Sequence, residues 1–198
     1  MRTPPPVLLP LFRSDGQARL LARVYLAPDE PAPLAVLARE LDLDRGGVKR
    51  EADRLEAAGL VRSERVGHSR ILRPNEESPY YPELHGLLLK AFGPATVIGP
   101  TLAEVGGVER AFLYGSWAAR YRGEAGPDPA DIDVLVIGAP ARLRLARATR
   151  ELSGRLGRDV NATVYSPEQW YGSQTGFLRH LKRGPIFELQ LRDEEPAS

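Results

Sequence analysis

The chain of 198 residues contains no cysteine, so it can neither form a disulfide nor use a thiol in catalysis. Without thiolates, the candidate metal ligands are restricted to carboxylates and three histidines. No run of eighteen apolar residues occurs, which predicts that no helix spans a membrane. Residues 1–9 are too short and too interrupted by proline to be a secretory signal, and we therefore expect a cytoplasmic protein.

Net charge is also nearly absent from the chain. The 27 Lys and Arg residues oppose 26 Asp and Glu residues, and the formal net charge is +1. Arginine outnumbers lysine 24 to 3, which is typical of a protein from a GC-rich bacterial genome. The length suits one large or two compact domains. Two unrelated patterns predict two domains, residues 1–78 and 95–198, joined by a connecting helix over residues 79–94.

The first pattern lies in the N-terminal part, where three helical repeats of apolar residues precede two short strands. The predicted helices cover residues 18–26, 34–41 and 45–58, and the predicted strands cover residues 61–65 and 69–73. Gly59 ends the third helix, and residues 66–68 form the turn of a hairpin. Three helices followed by a hairpin are the element order of a winged helix.

Residues 37–41, 48–51 and 55–61 resemble the winged-helix transcription regulators of bacteria, including the arsenical-repressor-like group. The resemblance implies that the third helix lies in the major groove of double-stranded DNA, and that the hairpin contacts the flanking backbone or the minor groove. Four arginines oppose one glutamate in residues 61–73, a net charge of +3. The candidate DNA contacts are Arg45, Lys49, Arg50 and Arg54 on the helix and Arg65, His68, Arg70 and Arg73 on the hairpin. The alternative is a domain for protein contacts, in which these side chains are simply solvated.

The second pattern begins where the apolar residues 111–114 lead into Gly115 and Ser116. Asp131 and Asp133 then open a second apolar run, and their spacing places both carboxylates on one side of a strand. Two carboxylates so close repel each other unless a cation lies between them, and oxygen ligands suit Mg²⁺. Gly115 allows close approach of the backbone, and Ser116 can cap the next helix, whose N-terminal amides favour a phosphate.

This Gly-Ser and Asp-x-Asp combination resembles the nucleotidyltransferase superfamily of the polymerase-beta type, over about residues 95–190. The resemblance implies a mixed sheet flanked by helices, with a Mg²⁺-bound nucleoside triphosphate between the turn and the aspartates. Arg120 and Arg122 are then placed to reach triphosphate oxygens, although a surface role is the alternative. The fold class expected for the whole chain is α/β (α+β), a winged helix followed by a mixed-sheet domain. The alternative for this half is an ordinary α/β core whose aspartates merely begin a strand.

The chain departs from the superfamily at the third carboxylate, which comes from a neighbouring strand. The matching strand is residues 159–165, and Asn161 occupies the matching position. An amide carries no charge and cannot act as a base, so Asp131, Asp133 and Asn161 form an incomplete catalytic set. Asp159 lies on the same face two residues earlier. Two functions stay open: a nucleotidyl transfer to a hydroxyl acceptor, or a transcription regulator whose second domain binds Mg²⁺ and nucleotide without catalysis. The missing carboxylate favours the regulator.

Two further helical patterns leave alternatives open. Residues 80–92 predict a helix that packs in a core, between domains or across the axis of a homodimer. Residues 141–158 carry six arginines and one glutamate around an apolar stripe. These arginines form either a solvated helix face or a contact to nucleic acid or nucleotide.

Overall fold

The computed structural model describes residues 11–124, 126, 129–172 and 176–191. The chain divides into two compact units, Met1–Phe92 and Gly93–Ser198. The helix predicted over residues 80–92 therefore belongs to the first unit. The proline-rich start of the chain lies outside the described residues, as do Ala125, Pro127 and Asp128 of the loop before the two aspartates.

The first unit has the element order predicted for a winged helix, with one additional strand and a further helix. Its elements are α1 (Asp15–Tyr25), β1 (Ala32–Pro33), α2 (Leu34–Glu40), α3 (Arg45–Ala57), β2 (Val61–Val66), β3 (Ser69–Pro74) and α4 (Tyr81–Phe92). The strands form an antiparallel sheet in the order β1-β3-β2. The two-residue strand β1 was not predicted, because a Pro-containing pair has no strand periodicity of its own. We call the β2–β3 hairpin, residues 61–74, the wing.

Capping residues and one glycine set the helix ends in this unit. Asp44 is the N-cap of α3, and its carboxylate accepts a hydrogen bond from the Gly47 amide at 2.7 Å. Gly59, with φ of 70°, turns the chain after α3 in a conformation that favours glycine. The buried side chains of α1, α2, α3 and the wing then form one core. This core includes Leu20, Tyr25, Leu37, Val48, Ala52, Leu55, Val61 and Leu72.

The second unit is built around a four-stranded mixed sheet, as predicted. Its elements are α5 (Ala95–Ala103), β4 (Val108–Tyr114), α6 (Gly115–Tyr121), β5 (Asp131–Gly138), α7 (Arg142–Leu156), β6 (Asp159–Tyr165), α8 (Pro167–Gly172), α9 (Gly176–Arg183) and β7 (Ile186–Glu188). The strand order is β6-β5-β4-β7, with β5 and β6 parallel and β4 antiparallel to both of its neighbours. The mixed sheet confirms the predicted fold class.

The central strand β5 is buried along Val134–Gly138. α7 connects β5 to the parallel strand β6, and it ends at Gly157, with φ of 64°. Within this connection the Val160 amide donates to the Ser153 hydroxyl at 3.0 Å, which ties β6 to α7. The crossover brings the first residues of β5 and β6 side by side.

One segment of the described residues, Tyr81–Ala103, is long and apolar enough to cross a membrane by length and composition alone. Its mean hydropathy reaches 1.2, and α4 and α5 are separated within it by Gly93 and Pro94. A core helix of a soluble protein passes the same test, so one such segment is weak support for a membrane span.

Candidate functional sites

The third helix of the winged helix presents basic side chains opposite its buried stripe. Val48, Ala52 and Leu55 are buried in the core. The helical period turns Lys49 and Arg50 away from that stripe, and both are exposed. Arg45, in the first turn of α3, is exposed as well. α3 therefore combines a core-facing side with a solvent-facing side that carries cations.

Several of the arginines predicted to contact DNA form ion pairs with carboxylates of the same domain. Arg50 lies 3.9 Å from the Asp44 carboxylate, and Arg54 lies 3.2 Å from Glu51. In the wing, Arg73 lies 3.2 Å from Glu64. The three arginines are exposed and each pair stabilises the domain little, so a DNA phosphate can compete for the arginines. They nevertheless reduce the positive potential of the surface relative to the bare count of arginines.

Arg70 is held more firmly than the other predicted contacts. Its guanidinium donates to Asp53 and to Glu56 on α3, the latter at 2.7 Å, and its Nε donates to the Ser63 hydroxyl at 3.0 Å. The Ser63 hydroxyl in turn donates to Glu56, and this bond, together with the Arg70 charge, lowers the pKa of Glu56 although burial opposes the shift. Partial burial opposes ionisation of Arg70, but the bond to Asp53 raises its pKa. Arg70 thus joins the wing to α3, a role that the sequence prediction of a DNA contact missed.

Four of the predicted DNA contacts face solvent without such ties. Arg45, Lys49, Arg65 and His68 are exposed, and no ion pair involves them among the residues that the structure describes. His68 lies in the two-residue turn at the tip of the wing. We call Arg45, Lys49 and Arg65 the free basic set.

The second candidate site lies where β5 and β6 begin. Strand register pairs Asp131 with Asp159 and Asp133 with Asn161. The parallel pairing places all four side chains on one face of the two strands. Asn161, and not Asp159, is therefore the neighbour of Asp133, as the sequence comparison with the superfamily predicts.

The Gly-Ser turn lies beside Asp133. Gly115 has φ of 67°, and a Cβ atom added to it would lie 3.5 Å from Asp133 Oδ2. The turn follows β4, the strand next to β5 in the sheet. Gly115 and Asp133 thus meet at one end of the sheet, as the two motifs predicted.

Three effects shift the pKa of the Asp133 carboxyl. Partial burial raises the pKa of Asp133, the charge of Asp131 raises it further, and a hydrogen bond from Asn161 opposes both effects. The Asn161 amide nitrogen also lies 3.4 Å from Asp131 Oδ2, a long hydrogen bond. Asn161 therefore acts as a neutral donor to the carboxylates, where the superfamily has a third negative charge.

The predicted capping role of Ser116 is wrong, whereas the nucleotide contacts predicted for Arg120 and Arg122 stay predictions. α6 begins at Gly115, its N-cap position is Tyr114, and no side chain caps it, so Ser116 does not have the predicted capping role. Arg120 donates to the carbonyl oxygen of Glu124 in the following loop. Arg122, at the C-terminal end of α6, is exposed.

The donor set fits a weak cation site. Two carboxylates and an amide provide oxygen atoms of the type that Mg²⁺ accepts. However, the described residues contain no group of three His, Asp or Glu side chains able to hold a metal ion, so Asp159 does not complete the set. Asp131 and Asp133 would hold the ion, and the residues that the structure describes provide no third charge there.

Comparison with known proteins bears on the first unit. Its three helices and wing define a winged-helix protein. Residues 13–70, less than a third of the chain, match the model of the MarR family. No curated protein sequence matches the chain.

Several solved structures are similar to parts of the chain at low identity. The transcriptional regulator BldR of Sulfolobus solfataricus is 22% identical, with 52% of this chain and 70% of that chain covered and a TM-score of 0.37. A mutant of ZitR from Lactococcus lactis is 13% identical, with 46% and 60% covered and a TM-score of 0.37. A protein of Archaeoglobus fulgidus is 16% identical, with 40% and 87% covered and a TM-score of 0.36.

Proposed function

We propose that the protein is a transcription regulator that binds double-stranded DNA through α3 and the wing. The observation that carries this proposal is the free basic set, which lies on the solvent-facing parts of a MarR-type winged helix. Exposed cations neutralise backbone phosphates and release counterions, and this supplies affinity without base contacts. Residues on α3 then read base edges when the helix lies in the major groove. A homodimer stays a prediction for this chain.

The proposal predicts a loss of DNA affinity when two members of the free basic set are removed. Lys49→Ala combined with Arg65→Ala should lower the slope of log affinity against log salt by about 2, because each lost phosphate contact lowers it by about 0.9. Fluorescence anisotropy with a labelled duplex over a salt series measures the slope.

A matched control removes two exposed arginines from outside α3, the wing and the arginine-rich helix α7, with Arg13→Ala and Arg183→Ala. The control should keep the slope of the unaltered protein. Equal slopes for all three proteins, or no binding at low salt, would show that this surface does not bind DNA.

For the second unit we propose binding of a Mg²⁺-bound nucleoside triphosphate, as an effector of the regulator. Asp133 lies beside the Gly115 turn, and partial burial together with the charge of Asp131 raises the pKa of Asp133. A divalent cation would relieve that repulsion. The neutral Asn161 favours binding without catalysis, because an amide cannot accept a proton from an attacking hydroxyl. Nucleotidyl transfer from the nucleotide to a hydroxyl acceptor is the alternative.

Removal of one carboxylate tests this second proposal. Mg²⁺ should strengthen ATP or GTP binding to the full chain, and Asp133→Ala should abolish that strengthening. Isothermal titration calorimetry with and without Mg²⁺ measures both affinities, and Asp159→Ala is the control, since Asp159 does not complete the set. If the unaltered protein binds nucleotide equally well with and without Mg²⁺, the paired aspartates are structural.

A further inference from the structure

α7 carries the largest net positive charge among the described helices. Five arginines and one glutamate lie in this fifteen-residue helix, a net charge of +4, although the whole chain has a net charge of only +1. Leu145, Ala148 and Leu152 are buried beneath them. The arginines, all of them exposed, are Arg142, Arg144, Arg147, Arg150 and Arg155. We call them the α7 arginine face.

This arrangement of like charges destabilises the helix. Arg144, Arg147 and Arg150 recur at intervals of three residues, and like charges at that spacing are neighbours that repel. Arg142 and Arg144 lie in the first turn, where the helix dipole disfavours cations, and no acidic residue or side-chain cap offsets them. The helix is stabilised instead by its buried stripe and by the Gly157 C-cap.

The α7 arginine face resembles the free basic set, and differs from the paired arginines of the winged helix, in having few carboxylate partners among the described residues. In the winged helix, Arg54, Arg70 and Arg73 each lie within 3.2 Å of a carboxylate. On α7 the one ion pair among the described residues joins Arg155 to Glu151 at 4.0 Å. Four arginines of the face thus have no carboxylate partner in the part of the chain that the structure describes, and they are available to an external anion.

We propose that the α7 arginine face is a second DNA-backbone contact of this protein. The proposal rests on the proposed function, since it adds a contact to a regulator that binds DNA through its winged helix. α7 is about 22 Å long, and a duplex presents one negative charge for about every 1.7 Å of its axis. Cations spread along a convex helix match such an extended polyanion, whereas a mononucleotide needs donors that converge in a concave site.

The two basic surfaces belong to one chain, which favours a common ligand. Once one surface is bound, the other meets the same DNA at a raised effective concentration, so weak contacts add to the overall affinity. The α7 arginine face has no base-reading role here. It supplies affinity that depends on salt and not on DNA sequence.

The test compares the full chain with Arg147→Gln combined with Arg150→Gln. Gln and Arg have similar helix propensities, so circular dichroism should show unchanged helix content. The salt slope of duplex binding should fall by about 2, and affinity at about 0.1 M salt should fall on the order of tenfold or more. The variant with lysine at both positions should keep the slope, because lysine keeps the charge.

Three results distinguish a failure of the α7 proposal from a failure of the proposed DNA-binding function. The control pair Arg13→Gln and Arg183→Gln removes the same charge elsewhere and should leave the slope unchanged. If the α7 variant keeps the slope while Lys49→Ala with Arg65→Ala loses it, the winged helix binds DNA and the α7 proposal is overturned alone. If the unaltered protein does not bind DNA at low salt, the proposed function fails, and this inference fails with it.

Discussion

Gly138→Ala is expected to destabilise the second unit by about 4 kcal/mol, the largest effect of a single methyl group that we predict for this chain. Gly138 ends β5 with φ of 139°, a conformation that side-chain-bearing residues rarely adopt. A Cβ atom there would also overlap the carbonyl oxygen of Gly107, which accepts a hydrogen bond from the Ala139 amide at 2.8 Å. Backbone strain and steric overlap each cost about 1–3 kcal/mol, and neither can relax without breaking that hydrogen bond.

Gly154→Ala is the matched control for this prediction. Gly154 lies inside α7, and a Cβ atom added to it has no neighbour within 4 Å. The same chemical change should therefore stabilise the unit by about 0.5–1 kcal/mol, because alanine is the better helix former. The two substitutions should have opposite signs.

Urea unfolding followed by tryptophan fluorescence measures both variants. The two tryptophans of the chain, Trp117 and Trp170, both lie in the second unit, so their emission reports its unfolding separately from the winged helix. A Gly138→Ala variant within about 1 kcal/mol of the unaltered protein would contradict the strand geometry described for the end of β5.

Asn161→Asp is expected to make the stability of the second unit depend on Mg²⁺. The register places position 161 beside Asp133, whose pKa is already raised by partial burial and by Asp131. A third carboxylate removes the amide donor and adds a like charge, so without metal the variant should be less stable than the unaltered protein at neutral pH. Because a carboxyl with a raised pKa loses its charge as the pH falls, this penalty should disappear towards acidic pH.

Mg²⁺ should reverse the effect. With the ion bound, the added carboxylate is a ligand, and a ligand at about a hundredfold its dissociation constant stabilises the folded state by about 2.7 kcal/mol. The unaltered protein should gain less, since its third group is a neutral amide. Unfolding followed by tryptophan fluorescence, with and without Mg²⁺ and from acidic to neutral pH, provides the comparison, and transfer of labelled nucleotide is measured in parallel.

The control for Asn161→Asp is the double variant that also carries Asp133→Asn. It has the charge of the unaltered protein, with the amide and one carboxylate exchanged between paired positions. Its response to Mg²⁺ should return to that of the unaltered protein. If Asn161→Asp and the unaltered protein respond to Mg²⁺ equally, position 161 is not the third-ligand position.

Local sequence patterns were sufficient to predict most of the helices and strands, and to recognise the motifs that meet at the candidate cation site. The helix predicted over residues 45–58 is α3, and the strands predicted over residues 61–65 and 69–73 are the wing. The strand at residues 159–165 is β6 with the same bounds. Helical and strand periods are properties of consecutive residues, so they can be recognised without knowledge of distant contacts.

The tertiary structure determined which arginines are paired with carboxylates and which are exposed to solvent. Arg70 and Arg65 look alike in sequence, yet Arg70 bonds to Asp53 and Glu56 while Arg65 is exposed without an ion pair among the described residues. α5 also escaped prediction, because its helix contains Pro100 and has little amphipathic pattern. Neither feature follows from a local repeat.

The sequence by itself thus determined a winged helix followed by a mixed sheet, and the residues that begin its strands, because periodicity and turn chemistry are local. Only the tertiary structure determined that Asp159 is paired with Asp131 and not with Asp133, that Arg70 joins the wing to α3, and that four arginines of α7 have no carboxylate partner among the described residues. Strand register and charge pairing depend on distances between residues far apart in the chain, and packing sets those distances.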